Sequence, residues 1–149
     1  MRRAFLIGLG AVLALTAMAI VMAWLSGGPS DALWHAIVRV ESGGNPRAYN
    51  RHGGAKGIAQ IRGACLADIN RIAREAGHAG RYTAADLFDP AKARRIWKMY
   101  LDYYGDQYAK ATGRTPTDEV YARIWNGGPN GWRKASTRQY WDRVRSAMH

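Results

Sequence analysis

Apolar positions along the chain fall into three regimes. From Ala4 to Leu25 they form an uncharged run, "AFLIGLGAVLALTAMAIVMAWL". Its length matches the roughly 20 residues that a bilayer-crossing helix needs. From Leu33 onward, apolar residues recur in separate stretches at i, i+3, i+4 and i+7, the period of a helix with one buried face. Between Tyr49 and Ile61 neither helical nor strand period holds, and Gly53, Gly54 and Gly57 mark that segment as a loop or a small β-hairpin.

This pattern predicts a mostly α domain. Ser30-Asp31 is an N-cap signal for a first helix that carries Trp34, Ile37, Val38 and Glu41 on one face. Ser42-Gly43-Gly44-Asn45-Pro46 stops it. A second helix is expected from Ala64 to about Ala76, with Leu66, Ile69, Ile72 and Ala73 inward, and "TAAD" at Thr83 to Asp86 reads as a capping box for a short turn. Asp89-Pro90, a cap followed by proline at the first helical position, opens a helix with Ile96, Met99, Tyr100 and Tyr103 on one face and an end near Gly105. Val120, Tyr121 and Ile124 belong to a helix starting around Thr117 and broken by "NGGPNG", Asn126 to Gly131. Thr137 then caps a last helix with Tyr140, Trp141, Val144 and Met148 inward.

One position breaks the pattern. Glu41 stands on the apolar face where Leu or Ile is expected. At the last turn it lies near the negative end of the helix dipole and partly out of water, and both effects push its pKa upward. A general acid needs that property. A glutamate that curls back to solvent at a frayed helix end is the alternative reading.

Charge and composition then divide the chain. Arg2 and Arg3 ahead of the apolar run hold the N-terminus on the cytoplasmic side. Ala17-Met18-Ala19 fits a signal-peptide cleavage site, but the run continues past it, which favours an uncleaved signal anchor. The expected organisation is a signal anchor or signal peptide at 1–25, a flexible linker "SGGPSD" at 26–31 and one domain at 32–149. About 120 residues suffice for one core and not for two. The single cysteine, Cys65, excludes an intramolecular disulfide framework and reads as a small core residue.

The 149-residue chain carries 22 Lys and Arg against 11 Asp and Glu, a net charge of +11; subtracting Arg2 and Arg3 leaves +9 on the remainder. A basic exported domain meets anionic envelope polymers or anionic lipid. Nucleic acid is not the expected partner, since zinc-finger spacing, an RNP-like stretch and a recognition helix are all missing. His35, His52, His78 and His149 show no metal-ligand spacing, so neither a metal nor a cofactor is implied. The serine-hydrolase elbow GxSxG is also missing.

Glycosidase chemistry fits better, although it usually employs two carboxylates. After Glu41 the next acid is Asp68, which falls within the second helix and reads as surface. Asp86, Asp89 and Asp102 read as caps or surface charge. A single carboxylate suffices when the substrate supplies its own nucleophile. Aromatics with polar tips suit a sugar chain: Trp125, Trp132 and Tyr121 flank the Asn126-Gly127-Gly128 turn, and Tyr49 lies on the loop after Glu41.

Four stretches in order resemble the soluble lytic transglycosylase (SLT) family of lysozyme-like, peptidoglycan-cleaving enzymes. "ESGGNPRA" resembles its Glu-Ser motif, "GAKGIAQI" its Gly-Leu-Met-Gln stretch, and "LFDPAKARRIWKMYLDYY" its Asp-Pro helix. "ARIWNGGPNGW" with "TRQYWDRV" resembles its Ala-Tyr-Asn-Gly-Gly region and closing helix. The resemblance covers nearly all of Leu33 to Met148. It implies a lysozyme-like α domain, with Glu41 as the acid that protonates the glycosidic oxygen between N-acetylmuramic acid and N-acetylglucosamine and then acts as base. The muramoyl C6 hydroxyl would attack, leaving a 1,6-anhydro end.

The resemblance adds Ser42, Asn50, Gln60, Trp125 and Asn126 as substrate-binding residues, to which the aromatic cluster at the Asn126 turn adds Tyr121. Gln60 matches the glutamine that holds the sugar and the cleft floor, and Asn126 the motif asparagine; Ser42 supports the helix end. Three positions depart from the family pattern. One extra residue falls at Gly53-Gly54, Asn50 stands where Ser is usual, and Trp125 replaces a tyrosine, offering an N–H but no hydroxyl.

Two alternatives therefore stay open: a hydrolytic muramidase on the same scaffold, such as a phage endolysin, and a membrane-tethered, non-catalytic peptidoglycan-binding module. "RIWNGGPNG" and the helix after it also resemble the C-terminal part of invertebrate-type lysozymes, a likeness ranked second because those proteins are rich in disulfides. Peptidoglycan glycan strands are the expected partner, with the membrane engaged through the N-terminal helix. The expected place is the cell envelope, with the domain anchored on the periplasmic or outer side, or secreted if the N-terminus is cleaved. A secretion, conjugation or phage lysis machine is the expected setting.

Overall fold

Each periodic stretch in the described part of the chain becomes a helix. The structure, a computed structural model, describes residues 27–149, so the apolar run at 4–25 and its reading as a signal anchor lie outside the described residues. Among the described residues no helix is long and apolar enough to cross a membrane. The helices are α1 (Asp31–Ser42), α2 (Gly63–Glu75), α3 (Pro90–Thr112), α4 (Asp118–Gly127) and α5 (Arg138–Ala147). Single 3-10 turns occupy Ala85–Phe88, Gly131–Arg133 and Ala135–Thr137.

The inward faces meet in one core. α1 packs on α4 and α5, α2 on α3, and α3 on α4. Leu33, Ile37, Ile69, Ile96, Leu101, Ile124 and Val144 are fully buried there. Trp34 and Trp97 close its centre, ring centroids 5.2 Å apart at 57°. With only Cys65 available, apolar burial of this kind carries the fold.

Caps appear where short polar side chains precede the apolar period. Ser30 Oγ accepts from the Leu33 N–H at 3.1 Å and donates to Asp118 at 3.1 Å, tying the start of α1 to the start of α4. The segment expected as a flexible joint is thus docked in part: Pro29 is buried, Ser30 caps α1 and Asp31 is its first residue. Asp89 caps α3 through the Ala91 and Lys92 N–H groups. Of the capping box expected at Thr83 to Asp86 one half forms: the Thr83 N–H and hydroxyl both donate to Asp86, while the Asp86 N–H bonds the Thr83 carbonyl instead of the hydroxyl.

Two local expectations are corrected. α3 does not end near Gly105 but continues to Thr112. Gly105 is needed for a close approach, because a Cβ there would lie 2.6 Å from the Tyr121 ring of α4. Thr137 occupies the cap position of α5 without capping it. Its buried hydroxyl donates to the Gly131 carbonyl at 2.8 Å and accepts from Arg123 Nε at 3.0 Å, which pins the turn between α4 and α5.

The excursion after α1 is a loop held by two isolated bridges, Tyr49 with Lys56 and Lys56 with Ile61; no strand occurs among the described residues. Gly57 locks this loop onto the rest of the fold. Its φ is +73°, and a Cβ there would stand 1.7 Å from the Leu87 carbonyl oxygen. Gly57→Ala therefore both strains the backbone and pushes the loop off the Ala85–Phe88 turn. It should lower the unfolding free energy by about 2 kcal/mol or more, read as a reduced midpoint in denaturant or thermal melts followed by circular dichroism.

Candidate active site

The site starts at the end of α1. Gly43 adopts a left-handed conformation, and the N–H groups of Gly43 and Gly44 return to the carbonyls of Arg39 and Val38 at 3.1 and 3.4 Å. That clean stop fixes the direction of the last turn and holds Glu41 half-buried rather than frayed into solvent. Its Oε1 accepts a hydrogen bond from the Tyr140 hydroxyl of α5 at 2.7 Å. Burial holds the Glu41 carboxyl above its ordinary pKa of 4.5. The Tyr140 hydrogen bond and the charges of Arg143 and Arg62 offset that only in part. Burial, and then the nearby Glu41 charge, push the Tyr140 phenol upward in turn, so it keeps its proton and remains a donor.

The floor of the site is the Tyr49–Ile61 loop. Ser42, next to Glu41, donates through Oγ to the Ile58 carbonyl at 2.7 Å and so ties the floor to the helix that carries the acid. Gln60 has φ +51°, a left-handed conformation unusual for a residue with a side chain. It is held there by its Nε2 and its own N–H, which donate to the Gly57 carbonyl at 3.0 and 3.1 Å. Asn50 shapes the loop tip, its Oδ1 accepting from the His52 and Gly53 N–H groups at 3.1 and 3.0 Å.

These elements enclose a cleft of about 600 Å³ that brings together Glu41, Asn50, Gln60, Trp125 and Asn126. The remaining two residues of the expected set do not line it. Tyr121 is 5 % exposed and packs against Gly105 in the core. Ser42 braces the floor from behind. Of the other aromatics considered for sugar contact, Trp132 stacks edge-on against Tyr108, and Tyr49 is exposed with Lys56 Nζ 5.1 Å above its ring.

Pattern reading missed two contributors. The helical period puts Tyr140 among apolar inward residues; its signal is that a hydroxyl on a buried face requires a partner. Asp68, expected on the surface, lines the cleft. Arg71 binds one of its oxygens at 2.7 and 2.9 Å and the Tyr104 hydroxyl donates to the other. Cys65, Asp68 and Arg71 follow a three-residue spacing along one face of α2, which is the trace this arrangement leaves in the sequence. Cys65 is half-buried and also lines the cleft. Its thiol is pushed up to about 12 by burial and by Asp68, so it is not a thiolate nucleophile.

The arrangement is one desolvated carboxyl with a fixed donor, a second carboxylate held by a guanidinium, and amide and indole groups along a groove. It suits proton transfer to a neutral polyhydroxylated chain.

Comparison with known proteins agrees with this chemistry. The profile of the family described as "Transglycosylase SLT domain" matches residues 19–146. A lysozyme from Magallana gigas is 31 % identical over 117 residues, which are 77 % of this chain and 77 % of that protein. The inhibitor-bound lysozyme of Meretrix lusoria superposes with a TM-score of 0.63 at 28 % identity, covering 80 % of this chain and 92 % of that one. The Tapes japonica lysozyme, at 23 % identity and a TM-score of 0.58, covers 78 % and 88 % respectively and shares the fold. The chain therefore belongs to the SLT transglycosylase family within the lysozyme-like superfamily and is a glycan-cleaving enzyme of peptidoglycan.

Proposed function

We propose that the protein is a lytic transglycosylase that cleaves the β-1,4 bond between N-acetylmuramic acid and N-acetylglucosamine, with Glu41 as general acid and then base. The observation that carries this reading is the desolvated Glu41 carboxyl in the cleft, held at 2.7 Å by the Tyr140 hydroxyl. In its protonated form Glu41 donates to the glycosidic oxygen as the C1–O bond breaks. The resulting carboxylate, favoured by the Tyr140 donor, then takes the proton of the muramoyl C6 hydroxyl as that oxygen bonds to C1. No water enters, and the product ends in a 1,6-anhydro ring. Trp125 replaces the family tyrosine, and Tyr140 supplies a hydroxyl to the acid from a different helix. Gln60, Asn126 and Asn50 are assigned to sugar hydroxyl and acetamido groups, and Trp125 to a sugar face.

Hydrolysis is the second reading. It is favoured by Asp68, a second carboxylate on the cleft wall, and by the lysozyme names of the relatives. Here Asp68 would face the sugar opposite the acid, and water would take the place of the C6 hydroxyl. We further assign the apolar run at 4–25 as a membrane anchor that leaves the catalytic domain on the wall side.

Mass spectrometry of digested peptidoglycan separates the two readings. Glycans one water lighter, ending in anhydromuramic acid, are expected; reducing muramic acid ends would replace the first reading with the second. Glu41→Gln should fold and lose about 10²–10⁴-fold in rate, and full retention of cleavage would remove Glu41 from the mechanism.

The same variant tests the pKa. Above pH 4.5 the unfolded glutamate ionises while the folded one still holds its proton, so wild-type stability falls as pH rises through the elevated folded pKa. Glu41→Gln should therefore melt higher than wild type at pH 7, with the gap closing below about pH 4. Tyr140→Phe removes a bond that favours the ionised acid. The alkaline limb of its kcat/KM profile should move to higher pH; a limb that stays in place would show that Tyr140 does not act on Glu41.

A further inference from the structure

A second cavity, about 760 Å³, opens between the C-terminal half of α2, the segment before Ala85 and the first half of α3. It shares no lining residue with the catalytic cleft. Its wall is built rather than loose: Asn70 of α2 donates to the Tyr82 carbonyl at 2.9 Å and accepts from the Tyr82 N–H at 2.8 Å. Four cations line it, Arg81, Lys92, Arg95 and Lys98, against two carboxylates. Both carboxylates are engaged, Asp86 with Lys92 and Asp102 with Lys98. Arg81 and Arg95 make no ion pair among the described residues. Residues 1–26 contain neither Asp nor Glu and so bring no carboxylate side chain to them.

The position of this cavity in the chain is informative. Gly28 lies on its rim, where a Cβ would stand 2.5 Å from Asp102 Oδ1 and 3.0 Å from Lys98 Nζ. Gly28 is three positions from Leu25, the last of the apolar run. Even a fully extended chain spans only about 10 Å over that interval. A cavity with two exposed guanidinium groups that make no ion pair among the described residues thus lies a few residues from a segment of bilayer length. Guanidinium forks match phosphate oxygens bidentately, and basic groups beside a membrane span are drawn to anionic lipid.

We propose that this cavity binds the phosphate-bearing headgroup of an anionic membrane phospholipid, which seats this face of the domain against the bilayer. The proposal rests on the anchor assignment for residues 4–25. Arg81 and Arg95 clamp the phosphate, while Lys92 and Lys98 stay with their own carboxylate partners. Seated in this way the domain has a fixed orientation, and its cleft opens at a set height above the membrane instead of sweeping freely on a linker.

Native mass spectrometry of the full chain, released from micelles holding equal phosphatidylglycerol and phosphatidylcholine, tests the site. Wild type should retain phosphatidylglycerol selectively. Arg81→Gln with Arg95→Gln should lose about tenfold of that retention, while the charge-matched Lys110→Gln with Arg114→Gln should keep it. Equal retention of the two lipids by wild type overturns the proposal, as does an equal loss in both double variants, which would mean net charge alone. Inorganic phosphate that displaces the lipid at low concentration would reassign the cavity to a soluble anion. Displacement by purified glycan strands with stem peptides would reassign it to a wall polymer. The anchor is read separately, by alkaline carbonate extraction of the full chain from vesicles: release there refutes the anchor, while the micelle result still decides the cavity.

Discussion

The hydrogen bond from Tyr140 to Glu41 spans 99 positions of sequence and joins the first and last of the described helices. It sets how far burial can raise the Glu41 carboxyl, since the bond lowers what burial raises. A carboxyl on a buried helical face is tolerable only with a partner, since an unsatisfied buried polar group costs about 1–3 kcal/mol. Tyr140 provides that partner without supplying a positive charge, so burial still dominates and the acid keeps its proton longer than a surface glutamate would. A lysine or arginine in the same place would have favoured the ion and removed the acid.

The rest of the cleft is arranged around that fixed pair. Two adjacent residues at the end of α1 do different work. Glu41 faces the groove, and Ser42 holds the floor loop through the Ile58 carbonyl. The loop lacks the ladder of a sheet, with two bridges in its place. Its shape comes from the left-handed Gln60, from the Asn50 turn and from the close seat of Gly57 on Leu87. Strain at Gln60 persists because both its backbone and its side chain are bonded to one carbonyl.

Helices were legible from apolar period, caps and breakers, because those signals are local and the core needs no disulfide. The failures have equally physical causes. Gly105 looked like a stop because a glycine inside a helix usually lowers its stability; a ring from another helix gives it a reason to be there, and no local window contains that ring. Thr137 looked like a cap, yet its hydroxyl is used by a turn six residues earlier. In the cleft, Glu41 was visible because it violated a pattern. Asp68 was not, since a carboxylate three residues from an arginine on a helix normally marks a solvated surface pair, and only the packing of α2 on α3 brings Tyr104 to it. Tyr121 misled in the opposite direction: proximity to the Asn126 turn in sequence placed it near the sugar, but the helical period turns it inward.

The long separation between donor and acid also bears on timing. A chain leaves the ribosome, or any channel it is threaded through, with α1 far ahead of α5. Until α5 docks, Glu41 lacks the Tyr140 hydroxyl that bonds its carboxyl in the finished fold. The hydrogen-bonded acid of the cleft is therefore completed only when the last described helix takes its place.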